Sequence, residues 1–170
     1  VLGLFLSAIS EDSCRLKIIV VYTTHSKGYY MAILVQTKKE KFMNPDNIKY
    51  HKEHTWVKVS GKKATVGITD YAQDALGDIV YIDLPEVDAT VEANTEMSEI
   101  ESTKATSAVI APVSGTIIEV NEKLADSPEI INEDPYGKGW IAVIEMDNES
   151  EVDDLMDAGD YERYIEEEAK

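Results

Sequence analysis

A single cysteine, Cys14, stands in 170 residues, so no disulfide can close within the chain and redox chemistry has to come from a bound group. That also points to a reducing compartment. Histidine is nearly as scarce. His51 and His54 are neighbours and His25 stands apart, with no cysteine, aspartate or third histidine at a metal-ligand spacing. Long apolar runs are missing too, since no stretch reaches the roughly 18 residues that a membrane-spanning helix needs. Basic residues are few: 16 Lys and Arg face 33 Asp and Glu, a net charge of −17. Such a chain repels phosphate backbones, which excludes nucleic acid as a partner. Gly61-Lys62-Lys63 lacks the glycine-rich lead-in of a phosphate loop, and no nucleophile–base pair is visible. The polypeptide alone does not read as an enzyme.

The negative charge is unevenly spread. Residues 1–42 carry Arg15, Lys17, Lys27, Lys38, Lys39 and Lys41 against Glu11, Asp12 and Glu40, a balance of +3 that leaves −20 for the remainder. An acidic surface of that kind keeps a small carrier soluble or steers it to larger partners with basic docking faces. Residues 1–42 are poorly patterned. Apolar runs at 1–9, 18–22 and 29–35 have weak turn signals between them, and no basic region precedes the first as a secretory signal requires. Arg15 alone is too little for a transit peptide. The stretch reads as an N-terminal extension, either a start-site artefact with the true start at Met31 or Met43, the favoured reading, or a functional addition.

From Met43 to residue 170 the local signals agree with one another, as expected of one domain. Trp56-Val57-Lys58-Val59 alternates, Gly61-Lys62 turns, and 64–68 continues as a strand, predicting a hairpin. Asp70 and Gln73 fit a capping box for a helix at 71–76, stopped by Gly77. Further strands are expected at 79–84 and 140–144. Ser127-Pro128 reads as a helix start, Ser150 as the cap of 151–156, Gly159 as its stop, and Asp160 as the opening of an acidic last helix. Gly77-Asp78-Ile79-Val80-Tyr81-Ile82 echoes Gly115-Thr116-Ile117-Ile118-Glu119-Val120, which would suit a sandwich of two related halves, although one short match is weak. The fold class is mainly β, with short helices at its margins and at the C-terminus.

One lysine has an unusual setting. In Ile100-Glu101-Ser102-Thr103-Lys104-Ala105-Thr106-Ser107-Ala108-Val109, two strand-like flanks enclose a centre of small residues with Lys104 at the apex. A lysine there has a long exposed stem and can be acylated without unfolding anything. The resulting amide loses the charge and leaves an arm with a reactive end. A lysine in a turn is usually only a solubilising charge, so this setting permits a carrier role without proving it.

Separate blocks in order carry more weight. They are Lys49-Tyr50-His51-Lys52-Glu53-His54-Thr55-Trp56-Val57, Val66-Gly67-Ile68-Thr69-Asp70-Tyr71-Ala72-Gln73, Leu76-Gly77-Asp78-Ile79-Val80, Glu101-Ser102-Thr103-Lys104-Ala105, Pro112-Val113-Ser114-Gly115, and Asn132-Glu133-Asp134-Pro135-Tyr136-Gly137-Lys138-Gly139-Trp140. From Ile48 to the C-terminus the chain closely resembles the H proteins of the glycine cleavage system. Biotin carriers usually flank the modified lysine with methionines, whereas Thr103 and Ala105 stand here. Lipoyl domains of 2-oxoacid dehydrogenases usually lack the His-Thr-Trp and Asp-Pro-Tyr-Gly blocks.

The resemblance implies a barrel-sandwich hybrid, lipoyl-domain-like, with lipoate covalently attached to Lys104. It implies a non-catalytic carrier that takes an aminomethyl group from glycine decarboxylase, passes the carbon to an aminomethyltransferase, and is reoxidised by dihydrolipoyl dehydrogenase. A lipoylating enzyme is a fourth partner, with Glu101 and Ser102 on the approach as possible recognition points; a plain solvated carboxylate is the other reading of Glu101. A cleft sheltering the loaded arm is expected, as is a monomer in the cytoplasm, or in the mitochondrial matrix of a eukaryote. Gly77, Gly115 and Gly137 are expected to serve tight turns. Three positions depart from the family pattern. Thr55 stands where glutamate is common, Met97-Ser98 replaces Phe-Gly, and Ala108 stands where aspartate is frequent. A glutamate at 55 would pair with a cationic methylamine more strongly than a hydroxyl does. Thr55 favours an alternative, an H-protein-like carrier for sulfur oxidation or for relay of octanoyl or lipoyl groups, whereas the intact block at 134–140 favours glycine cleavage.

Overall fold

In the computed structural model the described residues are 19–25, 28–34, 42 and 44–168. The chain forms two compact units, Val1–Lys41 and Phe42–Lys170. In the first, β1 (Ile19–His25) pairs antiparallel with β2 (Gly28–Leu34), so two of the poorly punctuated apolar runs form a hairpin. The run at 1–9 lies outside the described residues.

The second unit holds two antiparallel sheets and short helices, the mainly β architecture expected. One sheet orders β3 (Lys49–Tyr50), β4 (Thr55–Ser60), β5 (Lys63–Ile68), β11 (Ala142–Met146), β10 (Gly115–Val120) and β7 (Thr90–Val91). The other orders β6 (Ile79–Asp83), β8 (Glu96–Ser102) and β9 (Thr106–Ile110). Val57, Val66, Ile117 and Ile144 of the larger sheet join Ile82, Ile100 and Val109 of the smaller in one buried cluster. A second cluster, Tyr50, Trp56, Tyr161 and Ile165, is buried beside it. This is why Trp56 and Val57, neighbours on β4 with opposite side-chain directions, are both buried while Val59 is 41% exposed. Alternation on β4 therefore records two covered faces at one end and none at the other.

The β4–β5 hairpin turns at Gly61, whose φ of 60° suits a residue without Cβ. Trp56 lies opposite Gly67 in register, and a Cβ on Gly67 would come within 2.8 Å of the indole. The ring occupies the space a side chain at 67 would need, and its Nε1 donates to the Pro135 carbonyl at 3.0 Å.

Several expected boundaries move. Helix α1 (Asp70–Leu76) is capped by Thr69, whose extended backbone lets its Oγ1 accept from Ala72 N–H at 3.3 Å. Gln73 does not complete a capping box and instead donates to the Asp70 carboxylate at 2.8 Å. The helix expected from Ser127-Pro128 is α3 (Ile130–Glu133), which begins later with Glu129 at its cap, and an unforeseen short helix, α2 (Lys123–Asp126), ends at Ser127. The last strand is Ala142–Met146, two residues later than expected, and Ile141 N–H bonds the Val66 carbonyl just before it. Asn148, rather than Ser150, caps the 3-10 helix Glu149–Asp154 by accepting from Ser150 N–H. Gly159 does not stop a helix; it sits in the first turn of α4 (Ala158–Glu168), where Asp157 accepts from Asp160 N–H at 2.8 Å. The two matched segments 77–82 and 115–120 fall in different sheets, and their glycines differ in role. Gly77 is a helix cap, whereas a Cβ on Gly115 would collide with the Glu145 carbonyl, so Gly115 permits close strand approach rather than a turn. Gly137 packs against the Asp134 carboxylate in the 134–139 turn.

Candidate functional site: the β8–β9 hairpin tip

The tip joining β8 to β9 is built from small residues, and Ser102 organises it. Its N–H donates to the Ala105 carbonyl at 2.8 Å, closing the turn around Thr103 and Lys104. Its Oγ accepts from Lys104 N–H at 3.2 Å and Ala105 N–H at 3.0 Å, a side-chain turn of the kind serine forms readily. Thr103 N–H donates to the Asp78 carbonyl at 3.0 Å, tying the tip to the α1–β6 turn. Thr103, Lys104, Ala105 and Thr106 are exposed.

The Lys104 stem lies back over Gly77. A Cβ at 77 would stand 3.0 Å from Lys104 Nζ, 3.1 Å from Cε and 3.4 Å from Cδ. Gly77 itself has φ 80° and ψ −151°, a backbone state close to glycine-only. Its part therefore exceeds a tight turn: the missing side chain is the space the lysine uses. Asn132 fixes this seat from below, donating to the Gly77 carbonyl and to Gln73 Oε1, each at 2.9 Å, and accepting from Ile79 N–H at 2.9 Å. Asn132 opens the 132–140 block, but its role here has no local signal, because its partners lie 53 to 59 residues away.

Of the residues singled out beside the lysine, Ser102 has this local structural task. Glu101 pairs across the sheet with Tyr81 on one side and Thr106 on the other, on the outer face, exposed and without an ion-pair partner among the described residues. Thr55 is 1% exposed, and its Oγ1 donates to the Ile110 carbonyl at 2.8 Å. The hydroxyl that stood as a substitute partner for a cationic arm is thus buried and engaged with β9. Ser98 of the Met97-Ser98 departure is likewise buried, donating to the Asp83 carbonyl at 2.7 Å. Ala108 is exposed on β9.

His51 and His54 serve the structure. His51 Nδ1 accepts from Glu53 N–H at 3.2 Å, leaving Nε2–H to donate to Asn94 Oδ1 at 3.0 Å. Thr69 Oγ1 and Tyr161 OH lie 2.8 Å apart, and Tyr161 OH lies 2.8 Å from His54 Nδ1, whose Nε2 is 3.1 Å from Glu168. With Thr69 donating to Tyr161, Tyr161 to His54 and His54 to Glu168, every proton in the chain is placed. Burial lowers the His54 pKa, with Glu168 opposing, and burial raises the Tyr161 hydroxyl well above the phenol range. A cavity of about 530 Å³ is lined by His51, Asn94, Pro112 and Met156 among others. Asn94 lies beyond the start of β8, the opposite end of that strand from Lys104, so this cavity does not adjoin the lysine.

The family model described as the glycine cleavage H-protein matches residues 48–168. A glycine cleavage system H protein of Carboxydothermus hydrogenoformans is 49% identical over 126 residues, covering 74% of this chain and 97% of that one. That of Coprothermobacter proteolyticus is 54% identical over 121 residues, covering 71% and 95%. The crystal structure of a glycine cleavage system H protein from Mycobacterium marinum superposes with a TM-score of 0.65 at 37% identity, covering 74% of this chain and 99% of that one.

Proposed function

The chain belongs to the glycine cleavage H-protein family, and on that premise we propose that its domain, residues 43–170, carries lipoate on Lys104 as the shuttle of glycine cleavage. One observation carries the reading: the lysine matching the family's lipoyl block stands at an exposed hairpin tip whose backbone is fixed on both sides. The geometry fits an amide-linked arm. Lys104 is exposed, and Gly77 leaves room beside its stem. Attachment joins Lys104 Nζ to the carbonyl carbon of an activated acyl group, displacing its leaving group and releasing one proton. When bound, lipoate would supply a disulfide able to accept a one-carbon unit. The chain's own residues hold the attachment point still. Ser102 sets the turn, Asp78 receives the Thr103 amide, and Asn132 holds the α1–β6 turn beneath. A fixed base and a free arm suit a group that visits glycine decarboxylase, aminomethyltransferase and dihydrolipoyl dehydrogenase in turn. The chain acts as a non-catalytic monomer, cytoplasmic by its kinship with bacterial relatives.

The test is acylation of the unmodified full chain by a lipoate ligase with lipoate and ATP. Peptide mass mapping places the added mass between Glu101 and Ser107, and Lys104→Arg abolishes uptake while the melting temperature holds. Modification at Lys123 or Lys138 instead overturns the site. The lipoylated chain is then expected to support bicarbonate exchange into glycine with a glycine decarboxylase. The buried, engaged Thr55 hydroxyl favours a second reading, a carrier for sulfur oxidation or acyl relay, because it leaves the methylamine without a carboxylate at that position. Full lipoylation without any exchange would select that second reading.

A further inference from the structure

Strand β6 breaks the two-residue alternation of a regular strand. Its register against β8 shifts between Ile79 and Tyr81, so Val80 is a bulged residue. Ile79 and Ile82 are buried at 3% exposure each, while the two residues between them, Val80 and Tyr81, are 54% and 50% exposed. A regular strand would have turned one of those two side chains into the core. Bulges disrupt the ladder and re-aim side chains, and they gather next to functional sites. Here the bulge presents two adjoining large apolar side chains on an edge strand of a small sheet.

Their surroundings have one sign of charge. Tyr81 lies directly opposite Glu101, and Asp83 opposite Glu99, so the aromatic ring shares the outer face with three carboxylates. Between Thr69 and Ile110 the chain has ten Asp and Glu and one basic residue, Lys104. Ile79 pairs with Ser102, which puts the bulge one register step from the hairpin tip. A surface that combines an apolar step, an acidic border and the acceptor lysine at its end fits a partner with an apolar socket rimmed by basic side chains. A second copy of this chain is a poor match, since the carboxylates would face one another.

We propose that the outer face of β6 and β8, centred on Val80 and Tyr81, is the docking surface for the enzyme that acylates Lys104. This rests on the carrier reading above. The apolar pair supplies the contact that holds the complex, and Asp83, Glu99 and Glu101 steer and orient it, while Lys104 alone enters the active site.

Initial rates of lipoylation by a lipoate ligase, measured against concentration of the unmodified full chain, test the assignment. The double variant Val80→Ser/Tyr81→Ser is expected to raise KM for the chain about tenfold with kcat and melting temperature unchanged, the scale of losing an aromatic anchor. Tyr81→Phe keeps the ring and is expected to keep KM. Val87→Ser, at a residue 48% exposed but beyond the far end of β6, is expected to change nothing. Asp83→Asn/Glu99→Gln is expected to raise KM and flatten its dependence on salt. An unchanged KM in the double variant, or an equal rise with Val87→Ser, overturns the docking surface while leaving the carrier role standing. A change only in self-association, seen as a loss of concentration-dependent mass, also overturns it. A wild-type chain that takes up no acyl group at Lys104 overturns both.

Discussion

The two ends of the larger unit solve opposite problems. At the aromatic end, Tyr50 and Tyr161 stack with ring centroids 4.6 Å apart, and Trp56, Tyr50 and Tyr161 are at most 1% exposed. Each polar atom on those rings finds a partner: Tyr50 OH on the Pro45 carbonyl, Trp56 Nε1 on Pro135, Tyr161 OH on Thr69 and His54. At the hairpin tip almost nothing is buried, and order comes from backbone hydrogen bonds organised by one serine. Burial is concentrated at the aromatic end, while the tip is ordered without burial and leaves Lys104 open to the modifying enzyme proposed above. Acylation at the tip, as proposed, would remove none of the buried contacts of the aromatic end.

That contrast can be broken by substitution. The largest effect is expected from Trp56→Ala, which removes a buried indole and opens the space over Gly67. A loss of about 3–5 kcal/mol is expected, read by urea unfolding. Below the melting transition the variant should still be acylated at Lys104 with an unchanged KM, and a raised KM would show that the two ends are coupled. Ser102→Ala should do the reverse. Its hydrogen bonds are solvent-exposed, so the stability cost is expected near 1 kcal/mol or less. The tip backbone would no longer be held, and kcat/KM for acylation is expected to fall about tenfold, as misplacement of a reacting group does. Equal acylation of Ser102→Ala would mean that the turn forms without its serine.

The smallest effect is one of pH. The folded pKa of His54 lies below its ordinary value of 6.5, first because of burial, so on acidification the unfolded chain takes up this proton before the folded one does. The contribution of neutral His54 is therefore complete above about pH 6.5 and is lost as pH falls toward and through the lowered value. Melting temperatures of wild type and His54→Gln, compared at pH 7.5 and pH 5.5, should show a steeper drop for wild type. A parallel drop would place the acid sensitivity in the carboxylates.

Much of this contrast was legible in the residues. Gly61-Lys62 between alternating segments gave the β4–β5 hairpin, and the small residues around Lys104 gave the second hairpin and its exposed apex. Local chemistry governs such turns, and local chemistry is what a sequence displays. The Asn132 clamp was not legible, since it joins residues that are neighbours only after folding. The β6 bulge was hidden for a different reason: the run at 79–84 reads simply as a strand, and nothing in it tells that Val80 is the residue without a cross-strand partner. The cap of α1 was misread by one residue because Thr69 and Asp70 are both good caps, and the contact of Thr69 with Tyr161, 92 positions away, accompanies the choice.

The seat of Lys104 on Gly77 has an electrostatic side. Helix α1 has no basic residue in its last turn, yet helix C-termini carry partial negative charge and favour a cation. The hairpin brings that cation from another element: before modification, the Lys104 ammonium rests beside the cap of α1. Converting the amine to an amide removes the positive charge, and with it the attraction that draws the side chain down. On the proposed function, the reaction that installs the arm would also release it from this seat, so the one lysine is held beside the α1 cap before acylation and free to leave it afterwards.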